Sequence, residues 1–312
     1  MFDGETGNCV QSSELSKKKV NQFKYNDLKD QKVVDGDYLH ECYEGNINLK
    51  KYHVRELNGS ILIWFDARKE FQDTIPYEPL DLMTKLDYRG ESINYVNCHC
   101  QEIPENGADI RHFDFLHTNV FDYISFIKFD WLMKSHRAQE EDLYEVMKHK
   151  IDYFNDFKMK LLNRYLTEDN KKYVNVIYLD CYIKVFGFKY FLFNLTGFQV
   201  GPGLVYLFLK SYFFETAFAQ SVTPLKKFKL RVSHKIFTNN YLPYWLSSYM
   251  LYGEVKQLFS DMAIWNNKNF GSKLTYNLKT DADKNLLSWR NWFAQFYEGC
   301  HEFEKKQTEL DW

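Results

Sequence analysis

The apolar positions of this chain fall mostly into short runs rich in aromatic and β-branched residues, and settle into longer helical stretches only towards the C-terminus. Tyr52–Leu57 and Ile61–Phe65 are two such runs, and Asn58-Gly59-Ser60 between them favours a tight hairpin turn. The stretch from Gln11 to Asp37 is polar and unpatterned, which reads as a loop. Ser92 to Cys100 alternates like a strand; Glu102–Gly107, with Pro104 inside it, breaks that pattern, and a helix is expected from Ala108 onward. Glu140 to Leu162 reads as helical. Strands are expected at about 173–185, 187–197, 203–213 and 228–237, a long helix over Pro243–Asn267 and a last one over Asp283–Phe296. This order predicts an α+β fold in which a long helix lies across a curved antiparallel sheet. Residues 1–72 read as the end of a small β domain too short to build its own core, and residues 73–312 as a second domain.

Composition narrows the class. The most apolar stretch, Val185 to Leu209, is broken by Lys189, Asn194, Gln199 and four glycines and a proline, so it predicts two aromatic strands joined through Gly201-Pro202-Gly203 rather than a membrane span. The 40 Lys and Arg nearly balance the 42 Asp and Glu, which leaves no global field to attract nucleic acid. The six cysteines form no Cys-x-x-Cys pair, and Met1–Glu5 has neither a basic nor an apolar leader region, so an intracellular setting is expected.

The candidate chemistry lies between Glu105 and His117. His112 and His117 stand five apart, which turns the second side chain roughly 140° past a full helical turn. Both rings can reach one ion only if the helix widens locally or one histidine lies at its end. Two imidazoles and a carboxylate make the open triad of non-haem iron(II) oxygenases. Asp261 is the preferred carboxylate, and Glu254, seven residues earlier on nearly the same helix face, competes with it. Taken singly, a histidine pair with aromatic spacers is more often packed or surface residues, and a helical Asp is usually solvated. Cys98-His99-Cys100 looks metal-like, but strand alternation would put His99 opposite the two cysteines, which favours a structural role.

The string from Cys98 to Asp109, followed by His112 and His117, closely resembles the Rieske-type sterol 7-desaturases of the Neverland family, and more distantly the bacterial ketosteroid hydroxylase oxygenases. The resemblance continues at Asn58–Phe65, Gly201–Tyr206, Thr223-Pro224, Asp261–Lys268 and Trp289–Phe293. It implies that His112, His117 and Asp261 bind a mononuclear non-haem Fe(II), and that Asn106 and Asp109 lie in the bridge region, where Asp109 connects the iron ligands to the Rieske cluster of a neighbouring subunit. It further implies a helix-grip (START-like) catalytic domain and an oxidoreductase that uses O2 and electrons from NAD(P)H, delivered by a reductase, on a sterol-like lipid, with cholesterol 7-desaturation as the activity. A homotrimer and membrane association of the full-length protein are also implied. The competing reading is a lipid-binding module of the same shape without redox chemistry. A cavity of several hundred Å³, the usual scale of a ligand site, is expected near His112, walled by the strands around Phe188–Phe193 and Val205–Phe213.

One part of the pattern departs from that family. A Rieske [2Fe–2S] cluster needs two cysteines and two histidines, which the family supplies from a Cys-x-His and a Cys-x-x-His upstream of a Phe-Asp-Gly-x-Thr-Gly segment. Here that segment is Phe2–Gly7, and neither pair occurs in the sequence. Residues 1–72 are therefore expected to be a Rieske-domain remnant, and the sequence to be truncated at its N-terminus.

Overall fold

The computed structural model describes residues 52–65, 83, 86–109, 111–121, 124–132, 171–211, 214–268 and 279–296. The helix expected over Glu140–Leu162 and the loop over Gln11–Asp37 lie outside these residues. The chain divides into two compact units, one of residues 1–56 with 61–75, the other of residues 57–60 with 76–312. A two-stranded hairpin, β1 (Val54–Leu57) and β2 (Ser60–Ile63), turns through Asn58 and Gly59 at φ 52° and 66°. Those left-handed angles suit the Asn-Gly pair and match the twist of the strands it joins.

The larger unit is built on an eight-stranded antiparallel sheet. In chain order its strands are β3 (Asp87–Val96), β4 (Asn119–Phe121), β5 (Ile124–Leu132), β6 (Val174–Val185), β7 (Phe188–Val200), β8 (Leu204–Lys210), β9 (Glu215–Lys226) and β10 (Lys229–Thr238). In space they run β3-β10-β9-β8-β7-β6-β5-β4. From β4 to β10 each strand pairs with its sequence neighbour, so hairpins set most of the register; β3 alone comes from a distance, pairing Val96 with Leu230. Gly201 and Gly203 flank the β7–β8 turn, where Val200 faces Leu204.

Among the described residues, four α-helices complete the unit. Two of them, α1 (Glu102–Glu105) and α2 (Arg111–Leu116), lie between β3 and β4, and the longer α3 (Tyr244–Trp265) and α4 (Asp281–Phe293) follow the sheet. The long helix packs against β3 and β10. Between them Val96, Val222, Leu230, Val232, Leu258 and Trp265 form a buried core. Each such aliphatic side chain contributes roughly 1.5–3 kcal/mol by leaving water. Trp289 and Phe293 of α4 stack at 4.7 Å and pack on Ala108, which fastens this helix to the α1–α2 segment. Thr280 caps α4 by accepting a hydrogen bond from the Asp283 amide at 3.3 Å.

Several sequence expectations shift. The helix expected from Ala108 onward is limited to α2, and the chain then returns to the sheet as β4 and β5. The alternation that marks β5 is present: Ile127, Phe129 and Trp131 interleave with Lys128 and Asp130. A further strand, β9, was not expected at all. Its first part, Thr216-Ala217-Phe218, is buried on both faces, so no alternation marks it, and Pro224 argues against a strand by rule. Finally, β3 ends at Val96, before Cys98-His99-Cys100. These three residues lie in a bend, so strand alternation does not govern them, and both Cys98 and His99 are buried.

Candidate metal centre

Two pieces of chain far apart in sequence supply the centre. The first is the α1–α2 segment. Gly107 separates the two short helices, and a Cβ there would come within 2.6 Å of Ile177 Cδ1, so that side chain would have to shift to admit one. The turn brings Asn106 and His112 to one side. His112 sits in the first turn of α2 and His117 immediately after its last residue, with the His117 amide donating to the Phe113 carbonyl at 3.1 Å. Placing the second histidine at the helix end resolves the five-residue spacing without a widened turn. Trp131 of β5 donates its indole N–H to the His117 carbonyl at 2.8 Å and fixes that end against the sheet.

The second piece is α3. Glu254, Gln257, Leu258, Asp261 and Trp265 form one stripe along it and face the same cavity. Asp261 sits opposite the histidines. One ligand atom from each of His112, His117 and Asp261 lies within 4.8 Å of the others. The two imidazole rings stand nearly perpendicular, 84° apart, with centroids 5.0 Å apart.

Each ligand candidate is held from behind. Asn106 donates from Nδ2 to Asp261 Oδ2 at 2.7 Å. The Nδ1 of His112 is held by the backbone carbonyl of Asp109. A ring that donates through Nδ1 keeps its Nε2 lone pair for a metal. Burial lowers the His112 pKa, against the Asp109 carbonyl and the Asp261 carboxylate, which favour the charged ring. The neutral form that burial favours is the one that ligates.

The decisive atom is Asp261 Oδ1. It is buried and has no hydrogen-bond partner. Its separation of 3.3 Å from His117 Nε2 is within ion-pair range but lacks the geometry of a hydrogen bond. Buried carboxylate oxygens without a partner are costly and uncommon. Three neutral or anionic donors converging on shared space, one of them an orphaned oxygen, are what a divalent cation requires. The residues fit a mononuclear iron(II). Glu254, the competing carboxylate, instead faces His234 at 3.6 Å.

The centre opens on a cavity of about 140 Å³ lined by residues of β5 to β10, α1, α2 and α3. Its sheet wall is formed by alternate residues: Ile177 and Leu179, Phe193 and Leu195, then Val205, Leu207 and Leu209. Among the described side chains of the strand Phe188–Phe193 expected to line it, Phe193 does, while Phe188 and Tyr190 are 70% exposed. The volume falls short of the several hundred Å³ expected of a ligand site. Aromatic side chains account for that, with Phe113, Phe129, Trp131 and Phe193 crowded beside the histidines.

A buried ionic cluster lies beside the centre and was not singled out in the sequence. Glu105 accepts from Arg290 Nε at 2.9 Å and Nη2 at 2.5 Å, and from Gln101 Nε2 at 2.8 Å. Lys268 bonds Glu102 at 2.6 Å and approaches Glu105 at 3.9 Å. Gln199 joins the cluster to the sheet, donating to the Pro104 carbonyl and accepting from the Trp289 indole at 2.5 Å. His99 accepts the Gln101 amide at 3.0 Å, and burial, helped by Lys268, pushes its pKa down to about 3. A neutral structural histidine is the result.

The chain is 32% identical over 274 residues to a cholesterol 7-desaturase of Drosophila melanogaster, a match spanning 85% of this chain and 57% of that protein. It is 30% identical over 264 residues to a cholesterol 7-desaturase of Xenopus laevis, spanning 82% and 53%. The chain thus spans about half the length of the curated relatives it matches. Among solved structures it shares its fold with the Pseudomonas putida protein NdmA in a mutant with theobromine, at TM-score 0.53, 11% identity and coverage of 87% of this chain and 69% of the other. Dicamba monooxygenase bound to dicamba gives TM-score 0.52 at 10% identity, covering 86% and 76%. Among the described residues no helix is long and apolar enough to cross a membrane. The family of the 3-Ketosteroid 9alpha-hydroxylase C-terminal domain matches residues 63–297, and the chain belongs to it, among the Rieske-type oxygenases.

Proposed function

We infer that this chain carries the mononuclear iron centre of a sterol-oxidising Rieske-type oxygenase, of the cholesterol 7-desaturase kind, with His112, His117 and Asp261 as the iron ligands. The observation that carries the reading is the orphaned Asp261 Oδ1 beside two imidazoles. The names of its relatives supply the substrate class. Residues 73–312 form the catalytic domain in this reading, with α3 across the sheet as in a helix-grip fold, and residues 1–72 are the end of a Rieske domain.

Iron(II) in such a triad leaves open positions where dioxygen can be activated. The chain's own residues do the rest. Asn106 holds one oxygen of Asp261, so the other is aimed at the histidines. The Asp109 carbonyl fixes the orientation of the His112 ring, and Trp131 holds the main chain at His117 against the sheet. Phe113, Phe129, Trp131 and Phe193 exclude water from the approach to the centre, where an apolar substrate would replace it. A sterol is larger than the cavity, so its entry requires the wall to open. O2, NAD(P)H and a reductase are the co-substrates and partner of this reading, with a homotrimer as the assembly that brings Asp109 towards a neighbour's cluster. The sequence has no Cys-x-His or Cys-x-x-His pair, so the residues of this chain do not fit a Rieske cluster.

The test is a bypass of electron delivery. Purified chain loaded with Fe(II) and given cholesterol with peroxide is expected to yield traces of oxidised sterol, and His112→Ala to abolish both product and bound iron. A protein that binds cholesterol and iron yet yields no product under any reductant or peroxide is instead a lipid-binding module.

A further inference from the structure

The cavity has a second polar end that the iron centre does not use. Its wall is aliphatic and aromatic except for a few groups, and Gln220 of β9, His234 of β10 and Glu254 of α3 are three of them. They converge on one atom: His234 Nε2 lies 2.8 Å from Gln220 Nε2 and 3.6 Å from Glu254 Oε1. The His234 ring is 1% exposed and its Nδ1 has no hydrogen-bond partner. Glu254 reaches further into open space, with its side chain 20% exposed. Burial pushes the His234 pKa down to about 4, so the ring is neutral near pH 7. It also pushes Glu254 up to about 7, with His117 opposing and Asp261 reinforcing the shift.

A polar trio of this kind inside an apolar cavity needs a partner or a purpose. Its members are a carboxyl, an amide and a neutral imidazole, which together offer donors and acceptors but no fixed positive charge. That excludes an anion and suits a neutral group that both donates and accepts. A hydroxyl is the simplest such group. We propose that Gln220, His234 and Glu254 form a recognition site for the hydroxyl of a polycyclic alcohol, with Glu254 as the group that touches it and Gln220 fixing the His234 ring beside Glu254.

The proposal rests on the sterol reading above and adds to it an orientation. Glu254 and Asp261 stand seven residues apart on α3, about 10 Å at a rise of 1.5 Å per residue. A sterol anchored by its hydroxyl at Glu254 therefore presents the fused rings near the hydroxyl, and not its alkyl tail, to His112, His117 and Asp261. The trio sets which carbon is oxidised by setting which end of the substrate enters first.

Binding of cholesterol and of its analogue lacking the hydroxyl, each measured on the full chain by competition with a fluorescent sterol, tests this. The wild type is expected to prefer cholesterol at least tenfold. In Glu254→Leu and in Gln220→Leu the preference should fall below threefold while affinity for the analogue and iron stoichiometry stay unchanged. Equal binding of the two ligands by the wild type overturns the hydroxyl site alone and leaves the sterol reading standing. A preference that survives in both variants places the hydroxyl elsewhere and overturns it too. Binding of neither ligand overturns the sterol reading and this site with it. The comparison of the two ligands on the wild type needs no variant to fold.

Discussion

Two polar clusters flank the same short stretch of chain, and they differ in how their charge is balanced. In one, Glu102 and Glu105 meet Lys268 and Arg290, so two carboxylates face two fixed cations inside the protein. One oxygen there, Glu102 Oε1, has no hydrogen bond, and burial and Glu105 raise the Glu102 pKa, but Lys268 sits on its twin oxygen. In the other, Asp261 has Asn106 and His117 near it, and among the described residues no Lys or Arg pairs with it. The first cluster is complete without a ligand and ties α1 to α4. The second lacks one positive charge, and the missing charge is the signature of a metal. Burial alone does not separate a scaffold from a site; the balance of charges does.

The difference can be broken from either side. The largest effect is expected from the scaffold. Replacing Arg290 by Leu leaves Glu105 buried without its main partner and should cost about 3–5 kcal/mol in urea unfolding. A loss under about 1 kcal/mol would show that the cluster is not a clamp. Next is the hold on the metal. Asn106→Ala frees Asp261 Oδ2 and should weaken iron affinity about 10–100-fold with the stoichiometry intact.

The scaffold also carries a pH dependence. His99, with its pKa near 3 in the fold against 6.5 ordinarily, binds fewer protons folded than unfolded, so it lowers stability as pH falls below 6.5. At pH 5 this amounts to about 2 kcal/mol. His234 acts in the same direction and Glu254 in the opposite one, since its raised pKa favours the protonated folded form below pH 7. Both are common to the wild type and His99→Gln, so the two proteins should differ in their stability loss between pH 7 and pH 5 by about 2 kcal/mol. Parallel curves would mean that His99 is not neutral in the fold. The smallest effect is the sharpest in sign. Asp261→Asn keeps an oxygen for Asn106 and removes an unbalanced charge, so the metal-free protein should stay within about 1 kcal/mol of wild type or rise above it. A large loss there would make Asp261 a structural residue like Glu105.

The hairpin Tyr52–Phe65, the strands from β6 to β8, β10 and both long helices were readable from aromatic and β-branched runs and their turn residues. Where burial covers both faces, as at Thr216–Phe218, the period that marks a strand vanishes, and β9 was missed. The proposed iron ligands stood out through the resemblance of the string ending in His117, since spacing alone left Asp261 and Glu254 as rivals; their positions on α3 relative to the histidines separate them. Gln199, Arg290 and Lys268 carried no local signal. Their roles come from contacts made across 95 to 185 residues of sequence, which no window of residues contains. The trio Gln220, His234 and Glu254 was equally hidden, because it joins two strands to a helix.

Anaerobic titration of the metal-free chain with Fe(II), in wild type and Asp261→Asn side by side, tests the central claim most directly. The account predicts one iron per wild-type chain and none held by Asp261→Asn, with both proteins folded. Wild type that binds no iron, or Asp261→Asn that binds it as tightly, would contradict it.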